Sequence, residues 1–314
     1  MTSLRIVKTT MLQTIENKHF KWVDIKSPTE DDLKVLGKDF KLHPLVLNQL
    51  VPNVDFPKIE KFDDYLFLVL FYPSFDPKTN SIVPLELDII VSKKYIITNR
   101  YKDIVPLRFI IDKCNLYEEQ KEEYTKEGPG FLTYQIVRKF LTASFPKLSA
   151  IKDALTTIEQ AIYNKSDYTK TVVKIAELQR DLIGFQKIIE PHKLVLTSLA
   201  EMAKDVFDKK TEPYFRHLVN LYNHIENIAQ SNEKTLNSLD VSNQSLLNTQ
   251  TNEIIKVLTI FSVIVFPLTL LASLFGMNTS LPLVKYEHSF WIVLGIMATG
   301  ALLMLSIFKT KRWI

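Results

Sequence analysis

Two long apolar runs near the carboxyl end of the sequence constrain the fold more than any other feature. Val257 to Phe275 and Phe290 to Phe308 each hold about 19 residues without a charge, enough to span the hydrocarbon core of a bilayer. The alternative is a pair of core helices in a soluble protein, but such helices normally have a polar face with charged residues and these runs carry no charge. Because only about 14 residues separate the runs, the sequence predicts two transmembrane helices joined by a short external loop.

Basic residues lie beyond the outer ends of both runs. They are Lys256 before the first run, and Lys309, Lys311 and Arg312 after the second. The connecting loop carries Lys285, whose charge is offset by Glu287. Cytoplasmic flanks carry the excess of Lys and Arg, so the sequence predicts a multi-pass protein of the cell (plasma or inner) membrane with both termini in the cytoplasm. Trp291 and Trp313 stand where interfacial aromatic residues are expected.

The remaining composition excludes several classes of protein. The formal net charge is only +4, which does not call for nucleic acid as a partner, and the first twenty residues lack the apolar core of a signal peptide. Cys114 is the one cysteine, which excludes a disulfide framework and a multi-cysteine zinc site. The motifs G-x-S-x-G, G-x-x-x-x-G-K-[ST] and H-E-x-x-H do not occur, so an enzyme is not expected.

Residues 1 to 130 read as a cytoplasmic α/β domain. The segments "SLRIVKT", "HFKWVDI", "YLFLVLFYP" and "LELDIIVSKKYIITNRY" are rich in β-branched and aromatic residues and predict strands. Between the second and third, "SPTEDDLKVLGKDF" predicts a helix with Ser27 as N-cap, Pro28 at its first position and Glu30 completing a capping box. The segment "HPLVLNQL" predicts another short helix, closed by Pro52.

Residues 131 to 256 read as helical. Two stretches, "FLTYQIVRKFLTASFPKLSAIKDALTTIEQAIYN" and "KTVVKIAELQRDLIGFQKIIEPHKLVLTSLAEM", have apolar residues at three- and four-residue spacing and predict an antiparallel pair. From Pro213 the chain reaches Phe275 without a glycine, which predicts a helix of roughly 95 Å that must leave the membrane as a stalk. Residues 257 to 314 complete the chain as helix 257–275, external loop 276–289, helix 290–308 and basic tail 309–314.

Polar residues of the first apolar run share one side of the helix. At 100° per residue, Thr259, Ser262, Thr269 and Ser273 fall within an arc of about 80°. Asn252 continues this stripe toward the cytoplasm. Hydroxyl groups that bond back to carbonyls, or a seam of small residues between helices, are alternatives that stay open. One helix cannot enclose a lumen, so a pore requires several copies around an axis.

The first run ends in Gly276-Met277-Asn278 rather than in a charged anchor. Neither run contains a carboxylate, so a pore here would handle a small divalent ion with its water attached. Mg²⁺ gives up water reluctantly, and amide and hydroxyl oxygens suit its hydration shell. We therefore interpret Gly276 as the residue that lets the chain leave the helix and Asn278 as an oxygen ligand at the outer mouth. Simple helix termination by glycine and asparagine is the alternative.

These residues resemble the CorA-type magnesium and cobalt transporters, a family of metal ion transporters with two transmembrane helices and a Gly-Met-Asn motif. The likeness extends from "HPLVLNQL" and "FPKIEKFDDYLFLVLFYP" through "TNEIIKVLTIFSVIVFPLTLLASLFGMN" to "FKTKRWI". It implies an α+β membrane protein whose long stalk helix continues into the first span, assembled as a funnel-shaped homopentamer with that span lining the pore.

The resemblance also implies roles for individual residues. Gly276, Met277 and Asn278 take the place of the selectivity filter. Along the first span it implies a ring at Asn252, a hydrophobic gate at Ile255 and Leu258, and a path lined by Phe266, Thr269 and Ser273, most of which coincide with the stripe. Beyond the transported or regulatory ion, no cofactor is expected.

The sequence departs from the family at two places. The external loop lacks the family's acid beside Pro282, and Glu287 is the substitute. His217 stands where a carboxylate between subunits would sense cytosolic Mg²⁺; imidazole suits Zn²⁺, Co²⁺ or Ni²⁺ better. Simple packing of His217 and His224 in the stalk is the alternative.

A channel for Mg²⁺ and Co²⁺, with Ni²⁺ as a further ion, gated by cytosolic divalent cation, is the preferred interpretation. A zinc-type exporter or proton-coupled carrier on the same scaffold is the second, and retention of Met277 counts against it. A membrane-tethered sensor is the third, and the polar stripe counts against that.

Overall fold

The computed structural model describes residues 11–16, 20–51, 56–164, 168–277 and 288–313. The chain divides into two compact units, Met1–Leu239 and Asp240–Ile314. The first unit contains a sheet covered by helices, and the second contains the two apolar helices. The long helix that connects the stalk to the first apolar run contributes residues to both units.

The first unit is built on a six-stranded mixed sheet. Its strands are β1 (Met11–Glu16), β2 (Lys21–Lys26), β3 (Lys58–Lys61), β4 (Tyr65–Asp76), β5 (Ser81–Ser92) and β6 (Tyr95–Arg100). The order across the sheet is β1-β2-β6-β5-β4-β3. Strands β2 and β6 pair in parallel, and the remaining neighbours are antiparallel. The segment "SLRIVKT", predicted as a strand, lies outside the described residues, whereas the sequence did not predict β1.

The two central hairpin strands carry most of the core. Tyr65 pairs with Ser92 and Asp76 with Ser81, so β4 and β5 are matched along their full length. Residues 65–73 of β4 are buried without a break. A strand that is apolar on both sides must be covered on both faces, and the continuous burial of β4 meets this requirement.

The first helix begins two residues later than predicted. Helix α1 spans Glu30–Phe40, and its N-cap is Thr29 rather than Ser27. The capping box pairs Thr29 with Asp32, whose carboxylate accepts from the Thr29 backbone N–H at 2.7 Å. Ser27 instead adopts a left-handed conformation, φ 54°, and its N–H bonds to the Arg100 carbonyl. The prediction of Ser27, Pro28 and Glu30 as the helix start was therefore wrong.

The predicted short helix of "HPLVLNQL" is present as α2, Pro44–Gln49. Pro44 occupies the first turn, and the His43 Nδ1 atom accepts from the Leu45 N–H at 3.2 Å. Proline suits this position because its missing N–H would have no partner there. Pro52 lies outside the described residues.

The helical region starts earlier and is more divided than predicted. Its helices are α3 (Val105–Leu116), α4 (Glu118–Thr125), α5 (Pro129–Thr142), α6 (Phe145–Tyr163), α7 (Tyr168–Ile189) and α8 (His192–Val206), followed by a 3₁₀ turn, Lys209–Thr211. The two stretches each predicted as one helix are broken before Phe145 and at Glu190-Pro191. Pro146 and Pro191 lie at these breaks, and proline cannot donate the helical hydrogen bond.

Two buried polar contacts stabilise the sheet, one between strands β2 and β6 and one between β4 and helix α8. The Arg100 Nη2 atom lies 2.9 Å from the Asp24 carboxylate, which also accepts from the Thr98 hydroxyl at 2.7 Å. The His192 Nε2 atom accepts from the Phe71 N–H at 2.9 Å, beyond the point where β3 pairs with β4. This histidine therefore satisfies a backbone donor that no strand satisfies, and burial lowers its pKa to about 4.

Two helices carry the apolar runs. Helix α9 spans Glu212–Phe275, 64 residues with Pro267 in its interior, and α10 spans Ser289–Thr310. Both are long and apolar enough to cross a membrane, and the apolar window of neither is buried within the chain. The predicted end of the first run at Phe275 is confirmed, and the predicted continuity from the stalk into the first span is confirmed as well.

Candidate functional site

Helix α9 ends where the Gly-Met-Asn motif begins. The Gly276 N–H still donates to the Ala272 carbonyl at 2.9 Å, and the Met277 N–H approaches the Leu274 carbonyl at 3.4 Å. A Cβ atom added to Gly276 would lie 3.1 Å from the Ala272 oxygen. Gly276 is not among the residues with positive φ, so this position favours glycine because of a close approach rather than a left-handed turn. Asn278 and Glu287 lie outside the described residues.

The polar stripe is present on α9, and two of its hydroxyl groups bond to their own helix. The Thr259 hydroxyl donates to the Ile255 carbonyl at 2.8 Å, and the Thr269 hydroxyl donates to the Val265 carbonyl at 2.9 Å. This is the back-bonding that the sequence left open as an alternative. It uses the hydroxyl proton and leaves the oxygen lone pairs as acceptors. The stripe can therefore accept hydrogen bonds from a ligand at these two positions.

The apolar residues predicted to line the pore or form its gate lie at the surface of the single chain. Ile255, Leu258 and Phe266 expose 53%, 63% and 72% of their surface. Asn252 and Ser273 are also exposed, and Ser262 is partly exposed. A continuous apolar surface of this size is not stable in water, so it requires lipid or further copies of the chain.

Charges are sparse along this surface. From Ile254 to Met277 the sequence contains Lys256 and no carboxylate. Over the part of the chain that the structure describes, no group of three His, Cys, Asp or Glu side chains could hold a metal ion. The chemistry available along α9 is therefore that of hydroxyl, amide and carbonyl oxygens, which suits hydrated Mg²⁺ better than a dehydrated transition metal.

The stalk histidines predicted as candidate ligands both contact aromatic rings. The His217 Nδ1 atom lies 3.2 Å from the Tyr134 hydroxyl, and the two rings meet edge to face. His224 lies against Phe145, with ring centroids 5.6 Å apart. Both histidines are exposed, so each has a packing contact and an open side. Among the described residues, neither histidine belongs to a group of three His, Cys, Asp or Glu side chains that could hold a metal ion.

The sequence reasoning missed an acidic pair in β5, of which Asp88 is buried and Glu86 is half-buried. Asp88 is fully buried and accepts from the Asn99 amide at 2.8 Å, and Glu86 lies two residues away on the same face. Burial and the neighbouring carboxyl raise the pKa of Asp88 well above its usual value, and burial also raises the pKa of Glu86. Acidic residues that alternate with Leu85, Leu87 and Ile89 suggest a solvated face, but here both faces are covered.

Comparison with known proteins places these features in a family. The chain is 29% identical over 302 residues to the cobalt/magnesium transport protein CorA of Thermotoga maritima, covering 93% of this chain and 83% of that protein. Among solved structures, the complete CorA magnesium transporter of Methanocaldococcus jannaschii matches with a TM-score of 0.80 at 21% identity, over 95% of this chain and 93% of that one.

The cytoplasmic domain of ZntB from Vibrio parahaemolyticus also matches, with a TM-score of 0.60 at 14% identity, over 74% of this chain and 90% of that one. This likeness concerns the fold alone. The model of the CorA-like Mg²⁺ transporter proteins matches residues 17–312, which is nearly the whole sequence. Its members are membrane transporters and not enzymes. The chain belongs to the CorA-like Mg²⁺ transporter family.

Proposed function

We propose that the chain forms a channel for divalent cations that carries Mg²⁺ and Co²⁺, with Ni²⁺ as a further ion, across the cell membrane. The observation that carries the proposal is a single helix, α9, whose apolar span has a stripe of acceptor oxygens and is followed in the sequence by Gly-Met-Asn. Membership in the CorA-like Mg²⁺ transporter family, and the similarity to the cobalt/magnesium transport protein of Thermotoga maritima, support Mg²⁺ and Co²⁺ as the ions carried.

The channel is a homopentamer in which α9 lines the pore and α10 lies outside it. One copy of α9 cannot surround an ion, and the apolar windows of α9 and α10 are unburied within one chain, which leaves surface for both copies and lipid. The basic residues flanking the two spans orient both termini toward the cytoplasm of the plasma or inner membrane. The Mg²⁺ ion is substrate and regulator, and no resident cofactor is involved.

Selection rests on hydration. A hydrated Mg²⁺ ion presents water hydrogens to its surroundings, so the pore needs acceptors rather than donors. Thr259 and Thr269 meet this need because their protons are already donated to the helix. Gly276, Met277 and Asn278 form the filter, in which the Asn278 carbonyl oxygen accepts from the ion's water and Glu287 supplies the only acid of the outer loop.

Closure uses the cytoplasmic half of α9. Ile255 and Leu258 form rings of aliphatic side chains that exclude water when the pore narrows, and Asn252 forms the polar ring below them. Cytosolic divalent cation favours the closed state only to the extent that it binds that state more tightly. His217 is the candidate ligand for this regulation, and its exposed side is free to meet a neighbouring copy.

A zinc-type exporter or proton-coupled carrier is the second candidate. The sequence Gly276-Met277-Asn278 favours the magnesium channel over this candidate. The two candidates differ in the ion carried and in whether a proton gradient drives transport.

Metal flux into proteoliposomes tests the proposal, with Mg²⁺, Co²⁺, Ni²⁺ and Zn²⁺ compared in parallel. We expect Mg²⁺ and Co²⁺ flux without a proton gradient, blocked from outside by cobalt(III) hexaammine, which resembles hexahydrated Mg²⁺ in size and donors. Flux of Zn²⁺ alone that depends on a pH gradient would establish the second candidate. Absence of flux for all four ions would overturn both.

A further inference from the structure

The end of α10 folds into a defined turn. The Lys311 N–H donates to the Ile307 carbonyl at 3.0 Å, as in a regular helix. The Arg312 N–H then donates to the Lys309 carbonyl at 3.1 Å, and the Trp313 N–H donates to the Phe308 carbonyl at 2.9 Å. This pair of bonds is the Schellman motif, which satisfies carbonyl groups at the carboxyl end of a helix.

An aromatic contact holds the turn closed. The Trp313 ring stacks on the Phe308 ring, with centroids 5.8 Å apart and an angle of 24° between planes. An apolar contact between these two positions commonly accompanies the Schellman motif. The backbone bonds and the ring contact together fix where the intervening side chains leave the chain.

Arg312 occupies the position of the motif that favours glycine. Its φ is 57°, in the left-handed region, where a residue with a Cβ atom is less stable than glycine. Replacing this arginine with glycine would therefore stabilise the turn considered by itself. The turn geometry by itself therefore does not account for an arginine here.

The turn concentrates positive charge. Lys309, Lys311 and Arg312 are all exposed, and none is in an ion pair with a carboxylate of the described residues. Residues 288–313 contain no Asp or Glu. The charge is therefore uncompensated within this helix, and Trp313, 42% exposed, lies beside it.

We propose that this turn binds the headgroups of anionic lipids in the cytoplasmic leaflet. The turn follows directly on an apolar span whose Leu302, Leu305 and Ile307 side chains are exposed, so its charges lie at headgroup depth once α10 is in a bilayer. A tryptophan suits the same depth. Continuity with the apolar surface favours lipid over a soluble polyanion. The inference rests on the proposed topology and does not depend on which metal is carried.

The test is lipid retention by the intact detergent-solubilised protein in native mass spectrometry, with phosphatidylglycerol compared with phosphatidylcholine. The variant R312G keeps the turn, because glycine prefers its φ, and removes one charge. We expect phosphatidylglycerol affinity to fall about fivefold, with phosphatidylcholine unchanged. R312K should retain most of the affinity. K152Q, which removes an exposed lysine from α6, is the matched control.

Unchanged phosphatidylglycerol retention in R312G would overturn the proposal. An equal fall for both lipids would also overturn it, because it would show lost structure rather than lost charge. Displacement of the lipid by inorganic phosphate at equal concentration would assign the turn to free phosphate instead. Mg²⁺ flux is measured on the same samples. Selective lipid retention without flux would support this inference and contradict the proposed function. Flux without selective lipid retention would support the proposed function and contradict this inference.

Discussion

The two units of the chain place their apolar residues in opposite ways. In the unit Met1–Leu239, residues such as Leu68 and Phe185 are fully buried, and buried polar groups such as Asp24 and His192 have hydrogen-bond partners within the unit. In the unit Asp240–Ile314, the leucines and phenylalanines of two long helices lie at the surface. The first unit has thus completed its core with its own chain, whereas the apolar surface of the second requires lipid or further copies of the chain to cover it.

The difference also changes what a polar side chain does. In the first unit, Arg100 and Asp24 neutralise each other inside the sheet. In the second, Thr259 and Thr269 satisfy their hydroxyl protons on the same helix, which requires no neighbouring element. Polar groups on an apolar helix are stable when they are satisfied locally, and the remaining lone pairs are then available to a ligand. The polar groups of the first unit stabilise its fold, and we infer that those of the second unit line a path for cations.

The largest effect is expected at the mouth of the proposed pore. Replacing Asn278 with Ala removes the oxygen that would accept from hydrated Mg²⁺, and uptake should fall to the level of protein-free liposomes. The control is Asn220→Ala, which removes the same amide from an exposed position in the stalk part of α9. Full flux in Asn278→Ala, with the oligomer intact, would rule out this residue as the filter.

The next prediction compares the same substitution, leucine to alanine, in the two units. Leu68 is fully buried in β4, so Leu68→Ala should cost about 2–5 kcal/mol of stability and lower the midpoint of thermal unfolding. Leu258 is 63% exposed in the single chain, and Leu258→Ala should change that midpoint little. If Leu258 forms the gate, its substitution by Gly or Asp should instead give flux at Mg²⁺ concentrations that close the wild-type channel.

A melting profile in which the two alanine variants lose similar stability would contradict this comparison, because Leu258 would then be packed in a core rather than facing a pore. Closure unchanged in both Leu258→Gly and Leu258→Asp would move the gate to another part of α9.

The sequence predicted the elements whose patterns are strongest. The two apolar runs and the long glycine-free stalk were assigned correctly because length and absence of charge leave few alternatives. The short helix of "HPLVLNQL" was also predicted and is present as Pro44–Gln49. The CorA-type resemblance, which rested on Gly276-Met277-Asn278 and the flanking segments, is confirmed over residues 17–312.

Other predicted helix boundaries were wrong, and the structure gives the reason for each. Ser27 and Thr29 are both good N-caps, and the choice between them is made by the bond from the Ser27 N–H to Arg100, a residue at the end of β6. The breaks at Pro146 and Pro191 were signalled by the prolines, but the apolar periodicity on either side conceals them. A proline alone does not predict a helix break, because α9 continues through Pro267.

The roles of the site residues are harder to predict from the sequence than the fold is. Apolar periodicity is the same whether a helix faces lipid or another copy, so the pentamer and the pore-facing roles of Ile255, Leu258 and Phe266 stay predictions. The Asp88 and Asn99 contact depends on the pairing of β5 with β6, which local pattern does not specify.

A pH effect of intermediate size is expected in the first unit. Burial lowers the pKa of His192 from 6.5 to about 4, so the folded state holds this imidazole neutral. Its contribution is present above pH 6.5 and is lost as pH falls toward 4, a change of up to about 3 kcal/mol. His192→Gln retains an acceptor for the Phe71 N–H and cannot titrate, so its stability should change less over this range. Parallel unfolding curves for both proteins between pH 6.5 and 4 would contradict the assignment.

The smallest effect is expected at His217, which tests whether the first unit regulates the second. A neutral imidazole binds Mg²⁺ weakly, and its Nδ1 atom already contacts the Tyr134 hydroxyl. An acid at this position binds Mg²⁺ better, so His217→Asp should lower the Mg²⁺ concentration for half-closure several-fold. Ni²⁺ or Co²⁺ should close the wild type at lower concentration than Mg²⁺, through the nitrogen on the open side of the ring.

His217→Ala should abolish that preference, and Tyr134→Phe, which removes only the hydroxyl contact, should preserve or strengthen it because Nδ1 is released. The measurement is channel current, or protease protection of the stalk, against the concentration of each metal. If the preference for transition metals survives in His217→Ala, another ligand is responsible. If the Mg²⁺ midpoints of wild type, His217→Asp and His217→Ala coincide, this residue senses no metal, and its edge-to-face contact with Tyr134 is a packing contact that ties the start of α9 to α5.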